Sequence, residues 1–252
     1  MLHRRTARRA RTREAVMGRK ATWFGAGSIV SAPLLIGLGD QLRMAEVDTS
    51  ASARMVEGEY GAEQAAEYLE QVAAASGAYT AAGALTYAGA LLLVPALVTI
   101  WRLSVGGSPR WAWAGAVLGT LGVLGHMVHL QGYYATNLAA AEFAGQPWTG
   151  ELMMALEEQP FTLALFVPFL VGWLAAVPQA VGLRRARVIP TWAMGSVLAG
   201  TLVFLVVGST PWSTGLWMVA LIAGFAPAAA AAVRTAAPAE VGAPVEPVPA
   251  GR

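Results

Sequence analysis

Apolar residues along this chain gather into long runs instead of alternating with polar ones. A membrane helix needs about 20 mostly apolar residues to cross about 30 Å of hydrocarbon. Six runs meet that need, at 22–39, 81–101, 111–130, 161–182, 191–208 and 212–233, and none holds a charged residue between its ends. In lipid only a helix or a closed barrel satisfies its own backbone groups, and runs this long and uniform are helical. The pattern therefore predicts an all-α polytopic membrane helix bundle with six transmembrane helices. It divides the chain into a basic tail at 1–20, a membrane domain at 21–234 and a disordered tail at 235–252, the last rich in Ala, Pro and Val. A basic stretch followed by an apolar run can also be a secretory signal. Here the apolar run exceeds a signal core, so an uncleaved anchor is expected.

Two longer polar stretches separate the spans, at 40–80 and 135–160. In the first, Glu59, Glu63, Glu67 and Glu70 are spaced to share one helix face, with Tyr68, Leu69 and Val72 roughly opposite. This predicts an amphipathic helix lying on the surface or capping the bundle. The second predicts a short helix at 149–158.

The chain also resembles itself. Ser108-Pro109-Arg110-Trp111-Ala112 opens the third span, and Ile189-Pro190-Thr191-Trp192-Ala193 opens the fifth. The preceding spans share Val94-Pro95-Ala96-Leu97-Val98 and Val167-Pro168-Phe169-Leu170-Val171. Pro suits a helix start and Trp the membrane interface, so each feature has a local cause. The matched order of both helices points further, to an internal two-helix repeat. Pro95, Pro168 and Pro227 predict kinks within their helices.

Composition supports a membrane class. Hydrophobic residues make up 56% of the 252, charged residues only 13%, and there is no Cys. Disulfide, thiolate and Cys-metal chemistry are thereby excluded. The formal net charge of +2 conceals a strong asymmetry. Counted by connection, fifteen Lys and Arg fall on the side of the two termini, with three Glu; the other side carries two Arg and twelve Asp and Glu. Basic residues near span ends stay cytoplasmic. Both termini are thus expected in the cytoplasm of a bacterial cell, with the chain multi-pass in the plasma (inner) membrane. The expected partners are the lipid bilayer and a membrane protein or a second copy. Nucleic acid is not expected.

The third span carries the one polar constellation. Gly115, Gly119, Gly122 and Gly125 form a smooth ridge for close helix approach. At 100° per residue, His126, His129 and Tyr133 fall on the same side. Histidines three apart can hold a metal or relay protons, with Glu63, Glu67 or Glu158 as further ligands. Equally, both can simply hydrogen-bond across helices, and the spaced glutamates can be a solvated face. Retinal is excluded because the only Lys, Lys20, is in the tail. Bis-histidine haem within one chain is excluded because only the third span has His. No nucleotide loop occurs. Six-helix lipid phosphatases carry Ser-Gly-His where this chain has Leu124-Gly125-His126. Coupled transport uses buried carboxylates, and no run contains one.

The basic N-terminal stretch, the acidic segment after the first span and the junction Arg187-Val188-Ile189-Pro190-Thr191-Trp192 resemble the six-helix bacterial membrane proteins classed as domains of unknown function. The resemblance covers most of the chain, implies the same fold and carries no functional residue over. Three functions stay open: binding or moving a small ligand or ion near the third span, a non-catalytic accessory or scaffold role, and metal-dependent catalysis.

Overall fold

The computed structural model describes residues 2–48 and 61–236, with side chains from Gly18 onward apart from His129, Gln131, Glu157 and residues 161–163, 165 and 166. Glu59 and the stretch 237–252, expected to be disordered, lie outside the described residues. All described secondary structure is helical. In chain order it comprises α1 (Leu2–Glu46), α2 (Ala62–Ala74), α3 (Ser76–Val105), α4 (Pro109–Leu130), a π-turn (Gln131–Ala135), α5 (Thr136–Ala141), α6 (Thr149–Glu157), α7 (Pro160–Trp173), α8 (Ala176–Arg185), α9 (Thr191–Val207) and α10 (Pro211–Ala236). Pro109, Pro160 and Pro211 each sit at a helix start, where a missing N–H leaves nothing unpaired. α9 stops at Gly208, whose φ of 79° is open to glycine and strained for other residues.

Five segments are long and apolar enough to cross a membrane: Gly18–Glu46, Ser76–Val105, Pro109–Ala141, Val167–Arg185 and Pro211–Ala236. The remaining apolar helix, α9, has 17 residues, about 26 Å at 1.5 Å per residue. Their outer faces are apolar. Val94, Val117, Leu124, Leu202, Val206 and Val219 are all exposed. A water-soluble protein rarely presents so continuous a surface of this kind.

The long helices close into a ring. α1 lies between α3 and α10; α4 lies between α3 and the α7–α8 pair; α8 packs on α9, and α9 on α10. Arg102, Arg110, Arg184, Arg185, Arg187 and Arg234 gather at one end of the ring. Glu46, Glu63, Glu67, Glu70, Glu142 and Glu151 gather at the other. We call these the basic and acidic ends.

The first helix corrects one expectation. The apolar run ends at residue 39, which placed Asp40 and Arg43 in an outer connection. Instead α1 continues to Glu46. Ile36, Asp40, Arg43 and Val47 follow steps of four, three and four, so they share the inward face. Ile36, Arg43 and Val47 are buried. A carboxylate and a guanidinium therefore lie within a helix of the bundle, where the apolar pattern alone had put none.

A helix break occurs at a further proline. α3 and α10 run unbroken through Pro95 and Pro227. The break comes at Leu174 and Ala175, between α7 and α8. Pro178 explains it. Having no N–H, it cannot bond to the Leu174 carbonyl, which instead accepts from Val177 N at 3.1 Å. Leu174 N and Ala175 N likewise bond three residues back, to Val171 and Gly172. The chain tightens there. α8 stays against α9, while α7 follows α4.

The stretch at 62–74 is the expected amphipathic helix, and it caps the acidic end. Ala65, Tyr68, Leu69 and Val72 are buried, and Glu63, Glu67 and Glu70 are exposed. α2 rests on α5 and α6.

Candidate functional site

Two neighbouring cavities lie among the helices of the ring, sharing Ile36, His126 and Trp173 in their walls. The smaller, about 100 Å³, lies toward the basic end, between Ile29, Leu93, Ile100, Trp217 and Phe225. The larger, about 340 Å³, lies toward the acidic end. Small-molecule sites run from about 300 to 1,000 Å³. Its walls are Ile36, Leu130, Phe169, Trp173 and Phe204, with Asp40, Arg43, Thr86, Tyr133 and Tyr134 supplying polar groups. His126 and Trp173 line both cavities.

The glycine ridge of α4 places His126. A Cβ on Gly122 would come within 2.7 Å of the Gly172 backbone, and one on Gly125 would strike the backbone of Phe169. Only small residues permit this approach of α4 and α7. It sets the imidazole against Phe169 and Trp173, with ring centroids 4.8 and 5.6 Å away. Trp173 in turn stacks on Phe204 at 4.2 Å. His126 is 7% exposed. Its Nδ1 lies 3.0 Å from the Gly122 carbonyl oxygen. That oxygen can only accept, so Nδ1 carries the proton. In the neutral ring Nε2 is then an acceptor. It is buried and has no hydrogen-bond partner among the described residues.

A polar network closes the acidic end. Asn137 Nδ2 donates to Tyr79 Oη at 2.9 Å. Tyr79 Oη pairs with Tyr68 Oη at 3.1 Å, and Tyr68 Oη with Tyr133 Oη at 2.6 Å. Arg43 Nη1 donates to Tyr133 Oη at 3.2 Å. Arg43 Nη2 reaches Asp40 Oδ1 at 3.5 Å, a long ion pair. The guanidinium also lies 5.4 Å from the Tyr133 ring centroid, within cation–π range. The network ties α1, α2, α3, the π-turn and α5 together. Burial, reinforced by the neighbouring Tyr133 and Tyr79 phenols, pushes the Tyr68 phenol well above its ordinary value, so it stays protonated.

The expected site residues fare differently. His126 and Tyr133 both reach the larger cavity. The side chain of His129 lies outside the described residues. Glu63 and Glu67 stay on the exposed face of α2, apart from the buried His126. Among the described residues, no three of His, Asp and Glu come together as metal ligands. Chemically the arrangement offers hydrogen bonds, aromatic faces and one neutralised charge pair.

Sequence reasoning passed over Asp40, Arg43, Tyr79, Tyr134 and Asn137. For Asp40 and Arg43 a signal was present, namely the inward spacing shared with Ile36 and Val47. For Tyr134 there was none. Tyr133 and Tyr134 are neighbours, and a regular helix would turn one of them away. The wider π-turn at Gln131–Ala135 lets both line the cavity. Such turns recur at functional sites.

No protein-family model matches the chain, and neither does any curated protein or solved structure.

Proposed function

We propose that this chain is a six-span integral membrane protein of the bacterial plasma membrane that binds a small amphipathic molecule in the cavity at its acidic end. The observation that carries this reading is the larger cavity itself. About 340 Å³ of space is walled by Phe169, Trp173 and Phe204 and faced by Asp40, Arg43 and Tyr133. Mostly apolar walls with a few converging polar groups are the mark of a ligand site. Ionisable residues within a membrane bundle are costly and are kept where they act. Nothing in the cluster is an activated nucleophile, so the reading is one of binding.

In this reading α9 is the sixth span and both termini are cytoplasmic, supported by the collection of arginines at the basic end. The two-helix repeat pairs α3–α4 with α7/α8–α9. It draws support from the two connecting turns, which touch: a Cβ on Gly107 would lie 2.9 Å from Ala186 Cα.

Two measurements test the proposal. Alkaline phosphatase fused after Glu142 is active and the same enzyme fused after Arg234 is silent; the reverse pattern would overturn the orientation. Native mass spectrometry of protein released from mild detergent shows a one-to-one small-molecule adduct. Leu205→Trp, which adds an indole at the cavity wall, removes it. Loss of no adduct, or no adduct on the unaltered protein, counts against ligand binding.

A further inference from the structure

We propose that the molecule bound at the acidic end is a neutral, lipid-soluble phenol that enters from the bilayer between α7 and α9 and donates its hydroxyl to His126 Nε2. The proposal rests on the ligand-binding reading above and deepens it. Four observations support it.

First, a buried polar atom without a protein partner belongs to a residue of the cavity wall. Buried polar groups almost always find hydrogen bonds. Five buried side-chain atoms among the described residues do not, and two of them, His126 Nε2 and Tyr134 Oη, belong to residues lining the larger cavity. The Nδ1 bond to Gly122 makes Nε2 an acceptor. It is served by a ligand that brings an O–H or N–H, and an ether or ester cannot do so.

Second, the size and the walls agree. A dry cavity of about 150 Å³ holds benzene, so about 340 Å³ holds on the order of a dozen non-hydrogen atoms. Phe169, Trp173 and Phe204 offer flat faces suited to an aromatic ring.

Third, the site favours a neutral molecule. Asp40 and Arg43 already oppose each other, and a net charge in the bundle would stand uncompensated.

Fourth, the entrance faces lipid. Leu170 of α7 and Leu205 of α9 both line the cavity, and each is 48% exposed on the apolar outside. Past the break at Leu174 and Ala175, α8 packs its backbone on α9, while α7 reaches α9 through the side chain of Trp173 on Phe204. Phe169 and Trp173 ride on α7 just before that break. A rotamer-scale shift of these rings uncovers Nε2, which is itself buried.

The test uses the whole protein in detergent and two probes, 1-naphthol and 1-methoxynaphthalene. They share a ring system and differ in whether they can donate. Affinities are read by calorimetry against protein-free micelles. The unaltered protein prefers 1-naphthol by about tenfold or more, the worth of one hydrogen bond to a buried acceptor. His126→Phe abolishes the preference and keeps affinity for the ether; His126→Gln, which retains an acceptor, restores part of it. Equal affinity of the unaltered protein for both probes overturns the assignment to His126 and leaves the cavity reading intact, whether or not the variants fold. Failure of both probes to bind overturns the cavity reading itself. In liposomes Leu205→Ala, which widens the gap between α7 and α9, speeds association of 1-naphthol; an unchanged rate overturns entry between α7 and α9.

Discussion

The two halves of the bundle are built from the same kinds of helix and pack differently. In the basic half helices touch through small residues. Gly122 meets Gly172 backbone to backbone, Gly107 meets Ala186, and Gly224 is backed by the Ala193 carbonyl. Ala180, Leu183, Ala193, Val197 and Ala228 are fully enclosed there. On α4 itself the contact glycines run out toward the acidic half, although Gly39 and Gly150 still meet the backbones of α3 and α2 there. After Gly125 the next glycine along the chain is Gly132, in the π-turn, with nothing near its Cβ position. There the helices are held by hydroxyls, an amide and an ion pair, and the larger cavity lies among them. Along α4 the difference is how closely the backbones approach, and small residues decide that.

Breaking the charge pair should produce the largest effect. Arg43→Met leaves the Asp40 carboxylate unpaired within the bundle and is expected to cost about 3–5 kcal/mol. Asp40→Asn/Arg43→Met removes both charges and recovers most of that loss. Thermal melting in detergent reads both, and equal losses in single and double variants would show that the pair is not coupled.

The ridge comes next. Gly122→Ala forces α4 and α7 apart and is expected to cost about 1–3 kcal/mol. Gly132→Ala, ten residues on, meets open space. It should cost nothing and can gain up to about 1 kcal/mol from helix propensity. A loss at Gly132 as large as that at Gly122 would erase the contrast between the halves.

Tyr68→Phe removes a hydroxyl that two other tyrosines share, with an expected loss of about 1 kcal/mol. Hydrogen exchange should rise in α2 while α8 stays protected. Uniform loosening of both ends would mean that the network does not belong to the acidic half alone.

The smallest effect falls on the cap's outer face. Glu63→Gln and Glu67→Gln are expected to change stability by under about 0.5 kcal/mol, and metal content by elemental analysis should not respond. A bound metal lost on either change would return these glutamates to the site.

Much of this was legible beforehand. The long apolar runs marked the helices, the glutamate spacing marked the exposed face of α2, and Gly115 to Gly125 marked the contact ridge that seats His126. Period and length carry such information, because a helix repeats every 3.6 residues whatever it packs against. The reading failed where an element did not stop when its apolar run did. Asp40 and Arg43 ended the run and were taken for a connection, yet backbone bonding carries α1 past them to Glu46.

By itself, then, the sequence determined that this is a helical protein with helices long and apolar enough to cross a membrane, with opposed charge at its two ends and glycines on one face of α4. Those properties are local, or depend only on the contrast between water and hydrocarbon. Only the tertiary structure decided that Asp40, Arg43, Tyr68, Tyr79 and Tyr133, scattered over some ninety positions, share one network. Only it decided that His126 keeps an acceptor at the edge of a cavity, and that the helix breaks between α7 and α8 ahead of Pro178. The physical reason is that hydrogen bonds and packing reward proximity in space. Proximity across the ring is set by how close the neighbouring helices can come.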